Sequence, residues 1–358
     1  MTGKSSERSY AVIMAGGRGE RFWPLSTGEI PKPFLPLLGK KSLIQMTVER
    51  ITPLIPLSRV LVVLGKKHLK VAQEQLPGLP PQNFLVEPEG KDTAPCIGFA
   101  SLHVEKLGPD AIMAVIPSDH HIPDQDTYLR SLSAALNLLA ARDEIITLGI
   151  KPNRPETGYG YIRAGEQVDM LNNISFLKVE GFVEKPDLER AKRYAASKDY
   201  YWNIGIFVWR NRTIQNLLKK HLPEVWQGLS RIRERLGDKK VITEEFRKFP
   251  RISIDYGVLE KAKNILVIPA EFRWDDVGTW AALERVHRLD ENGNAIIGMH
   301  RGIDTRNCVI HVQDHLVATI GVSNLVIVQA NGKLLICSKE KSQDVKEIVK
   351  LFNSRSKE

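Results

Sequence analysis

The first half of the chain alternates short, continuous apolar runs with longer amphipathic segments. The apolar runs predict strands at residues 10–15, 60–64, 84–87, 111–116 and 145–150, and the amphipathic segments predict helices at 67–75, 94–107 and 128–141. Strands without apolar–polar alternation are typical of a parallel sheet that helices cover on both faces. This order of elements predicts an α/β fold with a doubly wound, mostly parallel mixed sheet.

The pattern is less regular after residue 150. It predicts strands at 179–184, 201–209 and 265–269, helices at 187–197 and 253–261, and two helices within 212–237 that break near Pro223. After a turn-rich stretch at 290–294, four short strands (309–312, 316–320, 325–329 and 333–336) precede a final helix at 343–352. We therefore predict a main domain at 1–288 and a small β appendage with a closing helix at 289–358. Its few repeats would have to pack on the main domain or on a partner subunit.

Composition and charge narrow the class of ligand. The 358 residues are 42% hydrophobic and 26% charged, as in ordinary globular proteins, and the formal net charge is +9. The excess of cations fits small anionic substrates, and no basic run with interleaved aromatic residues indicates nucleic-acid binding. Cys96, Cys308 and Cys337 are far apart, which predicts reduced thiols and a cytoplasmic location. No apolar stretch is long enough to span a membrane, and residues 1–10 lack the apolar core of a signal peptide.

The strongest candidate for a ligand site follows the first predicted strand. Three glycines and three cations stand close together there: Gly16, Gly17, Gly19, Arg18, Arg21 and the proline-flanked Lys32. Glycines let backbone N–H groups approach an oxygen-rich ligand, and clustered cations suit phosphate oxygens. We therefore predict that this segment binds a nucleoside triphosphate.

Other glycine-rich motifs fit this segment less well. The dinucleotide fingerprint requires a third glycine after G-x-G-x-x, whereas Gly17-Arg18-Gly19 is followed by Glu20-Arg21-Phe22. The P-loop sequence G-x-x-x-x-G-K-[ST] does not occur in the chain. A plain glycine turn remains an alternative, although it does not explain Arg21 or the Pro31-Lys32-Pro33 segment.

Two aspartates are candidates for a magnesium site. Asp119 closely follows the predicted strand at 111–116, and Asp276 lies in a turn flanked by Trp274 and Trp280. Two carboxylates, together with phosphate oxygens and water, form a typical Mg²⁺ site. The alternatives are a helix N-cap or loop acid for Asp119, and a solvated turn for Asp275 and Asp276.

A second polar group suggests sugar binding. Lys185 ends a predicted strand, Glu184 beside it is placed to accept sugar hydroxyls, and Asn203 lies in an aromatic strand where its amide needs a partner. The alternatives are an exposed lysine at a helix start and a backbone partner for Asn203. The histidine pairs 120–121 and 311/315 lack the ligand spacing that zinc sites use.

Taken together, the motifs resemble those of a known family. They are G-G-x-G-x-R…P-K-P at 16–33, E-P…T-A-P at 87–95, P-S-D-H at 117–120, F-V-E-K-P at 182–186, I-D-Y-x-[VI]-x-E-K at 254–261 and W-x-D-V-G-[ST]-W at 274–280. In this order they resemble the bacterial mannose-1-phosphate guanylyltransferases (GDP-mannose pyrophosphorylases), of the sugar-1-phosphate nucleotidylyltransferase family. The resemblance implies a Rossmann-like nucleotide-diphospho-sugar transferase fold with a short left-handed β-helix at its C-terminal end.

The resemblance also implies roles for individual residues. The implied sets are, for the triphosphate, Gly16, Gly17, Gly19, Arg21 and Lys32; for guanine and ribose, Glu87, Thr93 and Ala94; for Mg²⁺, Asp119 and Asp276; for the phosphate of the sugar, Lys185; and for the hexose, Gly160, Glu184, Asn203 and Asp255. Of these, Arg21, Lys32, Asp119, Lys185 and Asp276 would carry the chemistry.

The implied reaction transfers GMP from GTP to α-D-mannose 1-phosphate, with Mg²⁺ and without a covalent intermediate, in a homodimer built through the appendage. Lys91-Asp92 stands where the family usually has Arg-Asn, so no base-edge contact is carried over to Asp92. The chain ends at Glu358, before the isomerase domain of bifunctional relatives, so we expect no isomerase activity. Another hexose 1-phosphate or base remains an alternative, as does a silent regulatory paralogue. Such paralogues typically lose the loop arginine, the lysine or a metal acid, all of which are retained here.

Overall fold

A computed structural model of the chain describes residues 8–17, 19–108 and 110–355. Arg18, one of the three predicted phosphate-binding cations, lies outside these ranges, as does most of the segment at 1–10 that was compared with signal peptides. Between the first glycines and the closing helix, Pro109 is the other residue outside these ranges.

The described residues form fifteen strands, numbered in chain order. They are β1 Ser9–Met14, β2 Val60–Gly65, β3 Phe84–Glu87, β4 Ile112–Pro117, β5 Ile145–Ile150, β6 Gly160–Leu171, β7 Ile174–Val183, β8 Tyr200–Arg210, β9 Ile265–Ala270, β10 Ala295–Ile297, β11 His300–Ile303, β12 Val309–Val312, β13 Val317–Ile320, β14 Leu325–Ala330 and β15 Lys333–Ser338. The five strands predicted in the first half all occur, within a few residues of the predicted bounds.

The α-helices follow the predicted pattern with some differences. They are α1 Leu43–Ile51, α2 Leu69–Gln75, α3 Thr93–Leu107, α4 Gln125–Leu139, α5 Leu188–Ala196, α6 Asn211–His221, α7 Pro223–Glu234, α8 Lys239–Lys248, α9 Ile254–Gly257, α10 Leu283–Val286 and α11 Val345–Arg355. The break near Pro223 is confirmed, because α6 ends and α7 begins there. The helix predicted at 253–261 is wrong in length, since α9 gives way to a 3₁₀ turn at Leu259–Lys261.

Nine strands form the main sheet in the order β3-β2-β1-β4-β8-β5-β9-β7-β6. β8 lies between β4 and β5 and is antiparallel to both, and β7 is antiparallel to β9 and β6. The other seven strands share one direction, so the predicted mostly parallel mixed sheet is confirmed. The first part of β6 also pairs with β8, which closes β8, β5, β9, β7 and β6 into a ring.

Helices cover both faces of this sheet, as the continuous apolar strands predicted. Ala11 and Ile13 of β1 join a core with α1, α2 and α4, whereas Val12 joins a second core with α3, α6, α7 and α8. Alternate residues of one strand therefore pack on opposite layers, and both layers require apolar side chains.

The C-terminal strands form two small sheets. Parallel strands β10, β12 and β14 form one ladder with β15 antiparallel at its edge, and β11 and β13 form a parallel pair. Successive strands alternate between the two ladders, which is the connectivity of a parallel β-helix. The predicted β-helix-like appendage is thus confirmed.

The appendage packs on the main sheet's loops through one shared core. Val309, Val326 and Val345 of the appendage are buried together with Phe22 and Trp280. This arrangement fixes the closing helix α11 next to the segment that follows the glycines. No helix in the described ranges is long and apolar enough to cross a membrane.

Leu283 offers a test of this shared core, because its side chain is fully buried between the main sheet and the appendage. We expect Leu283→Ala to lower the free energy of unfolding by about 2–5 kcal/mol, through lost apolar contacts and a cavity. Leu107→Ala, at a side chain that is 55% exposed, should change it by less than about 0.5 kcal/mol. Urea denaturation measures both, and equal effects would contradict the described packing.

Candidate active site

The carboxyl ends of three strands bring the predicted phosphate and metal residues to one edge of the sheet. The glycines follow β1, Asp119 follows β4, and Asp276 follows β9. Two backbone hydrogen bonds connect the last two loops: His121 N–H donates to Asp275 O at 2.9 Å, and Asp275 N–H donates to His121 O at 3.1 Å. In open α/β sheets this edge is where ligands bind.

A cavity of about 400 Å³ opens at this edge. The predicted residues that line it are Gly16, Gly17, Gly19, Arg21, Lys32, Asp119 and Asp276. Phosphate-binding and metal-binding candidates from distant parts of the sequence therefore share one space.

Gly19 allows the glycine loop to lie against the lysine segment. Its φ is +61°, and a Cβ atom there would lie 2.5 Å from the backbone nitrogen of Lys32. Gly17 also has a positive φ, of +94°. Side chains at these positions would be strained, and at Gly19 one would push Lys32 out of the cavity.

Lys32 is a cation that lines the cavity and contacts both candidate metal acids. Its Nζ lies 2.8 Å from Asp119 Oδ2 and also donates to the backbone oxygen of Asp276. Burial opposes ionisation of Asp119, but the neighbouring Lys32 charge and its hydrogen bond keep the pKa of this carboxyl below its usual value. Asp119 is therefore ionised at neutral pH, as a metal ligand must be.

Asp276 is in a less favourable setting for a charge. Burial raises the pKa of its carboxyl, and the nearby Asp275 and Asp119 charges add to this, while Lys32 and a hydrogen bond from Tyr159 act in the other direction. The Tyr159 hydroxyl donates to Asp276 Oδ1 at 2.5 Å. The ionisation of Asp276 thus depends on two particular neighbours.

Asp275 holds the turn that presents Asp276. Its side chain is buried, accepts two hydrogen bonds from Arg285 at 2.6 and 2.9 Å, and accepts the Val277 N–H at 2.8 Å. Val277 has φ +46°, a strained conformation for a β-branched residue. The solvated-turn alternative is therefore wrong for Asp275, which is a structural acid.

The predicted sugar-binding residues also lie together. Asn203 Nδ2 donates to Asp255 Oδ1 at 2.8 Å, and Lys185 Nζ pairs with Glu184 Oε1 at 2.7 Å. A Cβ atom on Gly160 would lie 2.4 Å from Glu184 Oε2, so a side chain there would displace the Glu184 carboxylate. Burial raises the pKa of Asp255 to about 6, and the Glu184 charge adds to the shift.

Tyr159 connects the predicted sugar-binding residues with the cavity. Its backbone oxygen accepts the Lys185 N–H at 3.2 Å, while its hydroxyl holds Asp276. Its ring packs edge-on against Trp202 and Trp274. Sequence reasoning missed Tyr159, and the available signal was its place beside Gly160 in the T-G-Y-G-Y segment.

The predicted base-binding residues do not line the cavity. The Ala94 N–H donates to Ile252 O at 3.1 Å, and Thr93 Oγ1 accepts the Ile254 N–H at 2.8 Å. These bonds fix the segment that carries Asp255, so the contact of Thr93 and Ala94 with a nucleotide stays a prediction.

Glu87 ends β3 at the same edge of the sheet, and burial raises the pKa of its carboxyl to about 8. Within the described ranges its Oε1 atom is buried and has no hydrogen-bond partner. A buried carboxyl oxygen without a partner can accept a hydrogen bond from a ligand N–H group.

Two family models match the chain. The nucleotidyl transferase model matches residues 10–293, and a "MannoseP isomerase/GMP-like beta-helix domain" model matches residues 298–351. The chain belongs to the nucleotidyl transferase family. Within it, the predicted kinship with mannose-1-phosphate guanylyltransferases is confirmed by the named relatives.

Three relatives illustrate this kinship. A mannose-1-phosphate guanylyltransferase of Klebsiella pneumoniae is 38% identical over 96% of this chain and 74% of its own length. The alginate biosynthesis protein AlgA of Pseudomonas aeruginosa is 37% identical over 97% of this chain and 72% of its own. A crystal structure from Thermus thermophilus, described as a mannose-1-phosphate geranyltransferase, is 38% identical with a TM-score of 0.88 over 97% of this chain and 99% of that one.

The predicted metal residues of this nucleotidyltransferase are two carboxylates. The described residues contain no cluster of three or more His, Cys, Asp or Glu side chains suited to a metal ion. Asp119 and Asp276 line one cavity and offer oxygen ligands of the kind that Mg²⁺ prefers when phosphates and water supply the others. The donor set therefore fits Mg²⁺.

Tyr159→Phe tests the role of the Tyr159 hydroxyl in holding Asp276. Without this hydrogen bond the pKa of Asp276 should rise further, so the acid limb of the pH–rate profile of nucleotidyl transfer should move to higher pH. We expect kcat at pH 7 to fall about tenfold, the effect of one hydrogen bond to a charged group.

The matched control is Tyr161→Phe, because the Tyr161 hydroxyl bonds to the backbone of Glu156 instead. It should leave the acid limb in place even if it lowers stability. An unshifted profile in Tyr159→Phe would show that the hydroxyl does not govern Asp276.

Proposed function

We propose that the protein transfers GMP from GTP to α-D-mannose 1-phosphate, giving GDP-mannose and pyrophosphate. The observation that carries the proposal is the single cavity in which Lys32, Asp119 and Asp276 meet the glycine loop, connected through Tyr159 to a hydrogen-bonded group suited to a hexose. The name of the Klebsiella pneumoniae relative, mannose-1-phosphate guanylyltransferase, supports the same substrates.

The reaction needs positioning and charge neutralisation rather than a general base. The sugar phosphate is already anionic at neutral pH, so one of its oxygens can attack the α-phosphorus of GTP in line as pyrophosphate leaves. Lys185 would pair with the attacking phosphate, and Arg21 with the leaving one. Lys32 uses two of its three N–H donors on Asp119 and Asp276, which leaves one for a phosphate oxygen.

Asp119 and Asp276 would hold Mg²⁺, which supplies positive charge next to the phosphates. Tyr159 and Lys32 orient these carboxylates and favour their ionised forms. At the base, the partner-free Glu87 oxygen supports recognition of guanine, whose Watson–Crick edge presents adjacent N–H donors. At the hexose, Glu184 and Asp255 would accept sugar hydroxyls.

A panel of substrates tests the proposal. We expect pyrophosphate release and GDP-mannose formation from GTP with mannose 1-phosphate, and much slower reactions with glucose 1-phosphate or with ATP, UTP or dTTP. Faster turnover of another pair would assign another sugar or base to the enzyme. The replacement of the family's usual Arg-Asn by Lys91-Asp92 is the sequence difference that bears on the choice of base. No product with any pair would indicate a binding paralogue.

Asp276→Asn should keep the fold and lower kcat at least about a hundredfold, which is several kcal/mol on the barrier. The loss follows from removing one of two charged oxygen ligands, so Mg²⁺ dependence should weaken as well. Asp124→Asn, which breaks an exposed pair with Arg273, is the control and should keep near-normal turnover. Near-normal turnover in Asp276→Asn would remove this residue from the metal site.

We further propose a homodimer that forms through the appendage in the cytoplasm. Large apolar side chains are exposed on adjacent strands there, including Ile303 at 63% and its register partner Ile320 at 72%. A second copy of the same surface would bury them, as in other twofold interfaces. The three described cysteines are unpaired, which agrees with a reducing compartment.

Light scattering after gel filtration tests the dimer. The wild type should have twice the chain mass of 40.3 kDa, and Ile320→Glu should reduce it to one chain, since a charge would be buried at the interface. Leu107→Glu, at an exposed position on α3, should leave the dimer intact. A wild type that elutes as one chain would refute the dimer.

A further inference from the structure

The cavity contains one cation that comes from the appendage. Lys346, the second residue of α11, lines it together with the glycine loop and Lys32. We propose that Lys346 binds the β- and γ-phosphates of the nucleoside triphosphate and the pyrophosphate that leaves, so that the closing helix completes the active site. The inference rests on the proposed function only in taking the cavity to hold these phosphates.

The position of Lys346 is fixed by the residue before it. Val345 is 2% exposed and belongs to the same core as Phe22 and Val277. Phe22 directly follows Arg21, and Val277 directly follows Asp276, so Val345 shares one core with the neighbours of both cavity-lining residues. At the other end of α11, Phe352 stacks on Trp23 with ring centroids 5.2 Å apart. The helix is therefore held along its length against the segment that follows the glycines.

The charge of Lys346 has no other evident use. In the described part of the chain it makes no hydrogen bond or ion pair, whereas other lysines around α11 are paired: Lys339 with Glu284, Lys341 with Asp344 at 3.5 Å, and Lys350 with Glu347 at 3.0 Å. A cation in the first turn of a helix is also opposed by the helix dipole. The positive charge of Lys346 therefore lowers the stability of α11, and an anion bound next to it would offset this effect.

The other charged residues that line the cavity leave few cations available to bind phosphate. Three described cations line it, namely Arg21, Lys32 and Lys346, together with the acids Glu20, Asp119 and Asp276. Lys32 is already engaged by Asp119. Arg21 and Lys346 have no ion pair within the described ranges, so they are the lining cations with full charge available to phosphate oxygens. Charge that builds up on leaving pyrophosphate is stabilised by fixed cations of this kind.

Pyrophosphate itself is the probe that isolates this contact, because it contains neither base nor sugar. We expect Lys346→Gln to weaken pyrophosphate binding, measured by calorimetry in the presence of Mg²⁺, about tenfold. Lys350→Gln removes a lysine from the same helix that does not line the cavity, and it should bind pyrophosphate as the wild type does. Thermal unfolding of both variants checks that α11 remains docked.

Steady-state kinetics give a second readout. In Lys346→Gln the KM for GTP should rise about tenfold while the KM for mannose 1-phosphate stays the same, and Lys346→Arg should restore most of the affinity for GTP. A purely structural role would instead leave Lys346→Arg and Lys346→Gln alike.

The outcomes separate this inference from the proposed function. Pyrophosphate binding that depends on Lys346 in a protein that makes no GDP-mannose would refute the proposed function and support the Lys346 contact. Wild-type pyrophosphate affinity in Lys346→Gln, equal losses in Lys346→Gln and Lys350→Gln, or no pyrophosphate binding by the wild type would overturn the Lys346 contact.

Discussion

The site depends on one interaction, the contact of Lys32 with Asp119 and with the backbone of Asp276. A single ammonium group thereby joins the loops that follow β1, β4 and β9. Without it, two carboxylates would face each other in a partly buried space, where like charges strongly disfavour ionisation. This contact requires glycine at position 19, because a side chain there would clash with the backbone of Lys32.

A second layer keeps these groups in place. Asp275 accepts hydrogen bonds from Arg285 and from the strained Val277, and it shares a backbone bridge with the loop that carries Asp119. Tyr159 links Asp276 to the predicted sugar-binding residues through its hydroxyl and its backbone oxygen. The strain at Val277 is tolerated because its side chain is fully buried in the core that also anchors the appendage. The appendage and the turn that carries Asp276 therefore support each other.

Much of this arrangement could be predicted from the sequence, because the candidate catalytic residues follow apolar strands. The carboxyl ends of parallel strands lie at one edge of the sheet, so these residues come together there. The direction of β8 could not be predicted, because an apolar run does not indicate whether a strand is parallel or antiparallel to its neighbours. The contact between Tyr159 and Asp276 spans 117 residues, and Lys346 reaches the cavity only through the packing of α11. Helix α1 was missed although Ser42 and Gln45 form a capping box, a signal present in the sequence.

The ring of β8, β5, β9, β7 and β6 has a consequence for how substrate choice can diverge. Where Gly160–Arg163 of β6 pair with β8, the ring has no free edge, so this part of β6 cannot shift register alone or accept an added strand. Gly160 and Asn203 face each other across the β6–β8 seam and are thus held at a fixed spacing. In the proposed function, new hexose preferences would arise by exchange of side chains on this fixed frame, whereas β3, at the open edge of the sheet, leaves room for longer loops.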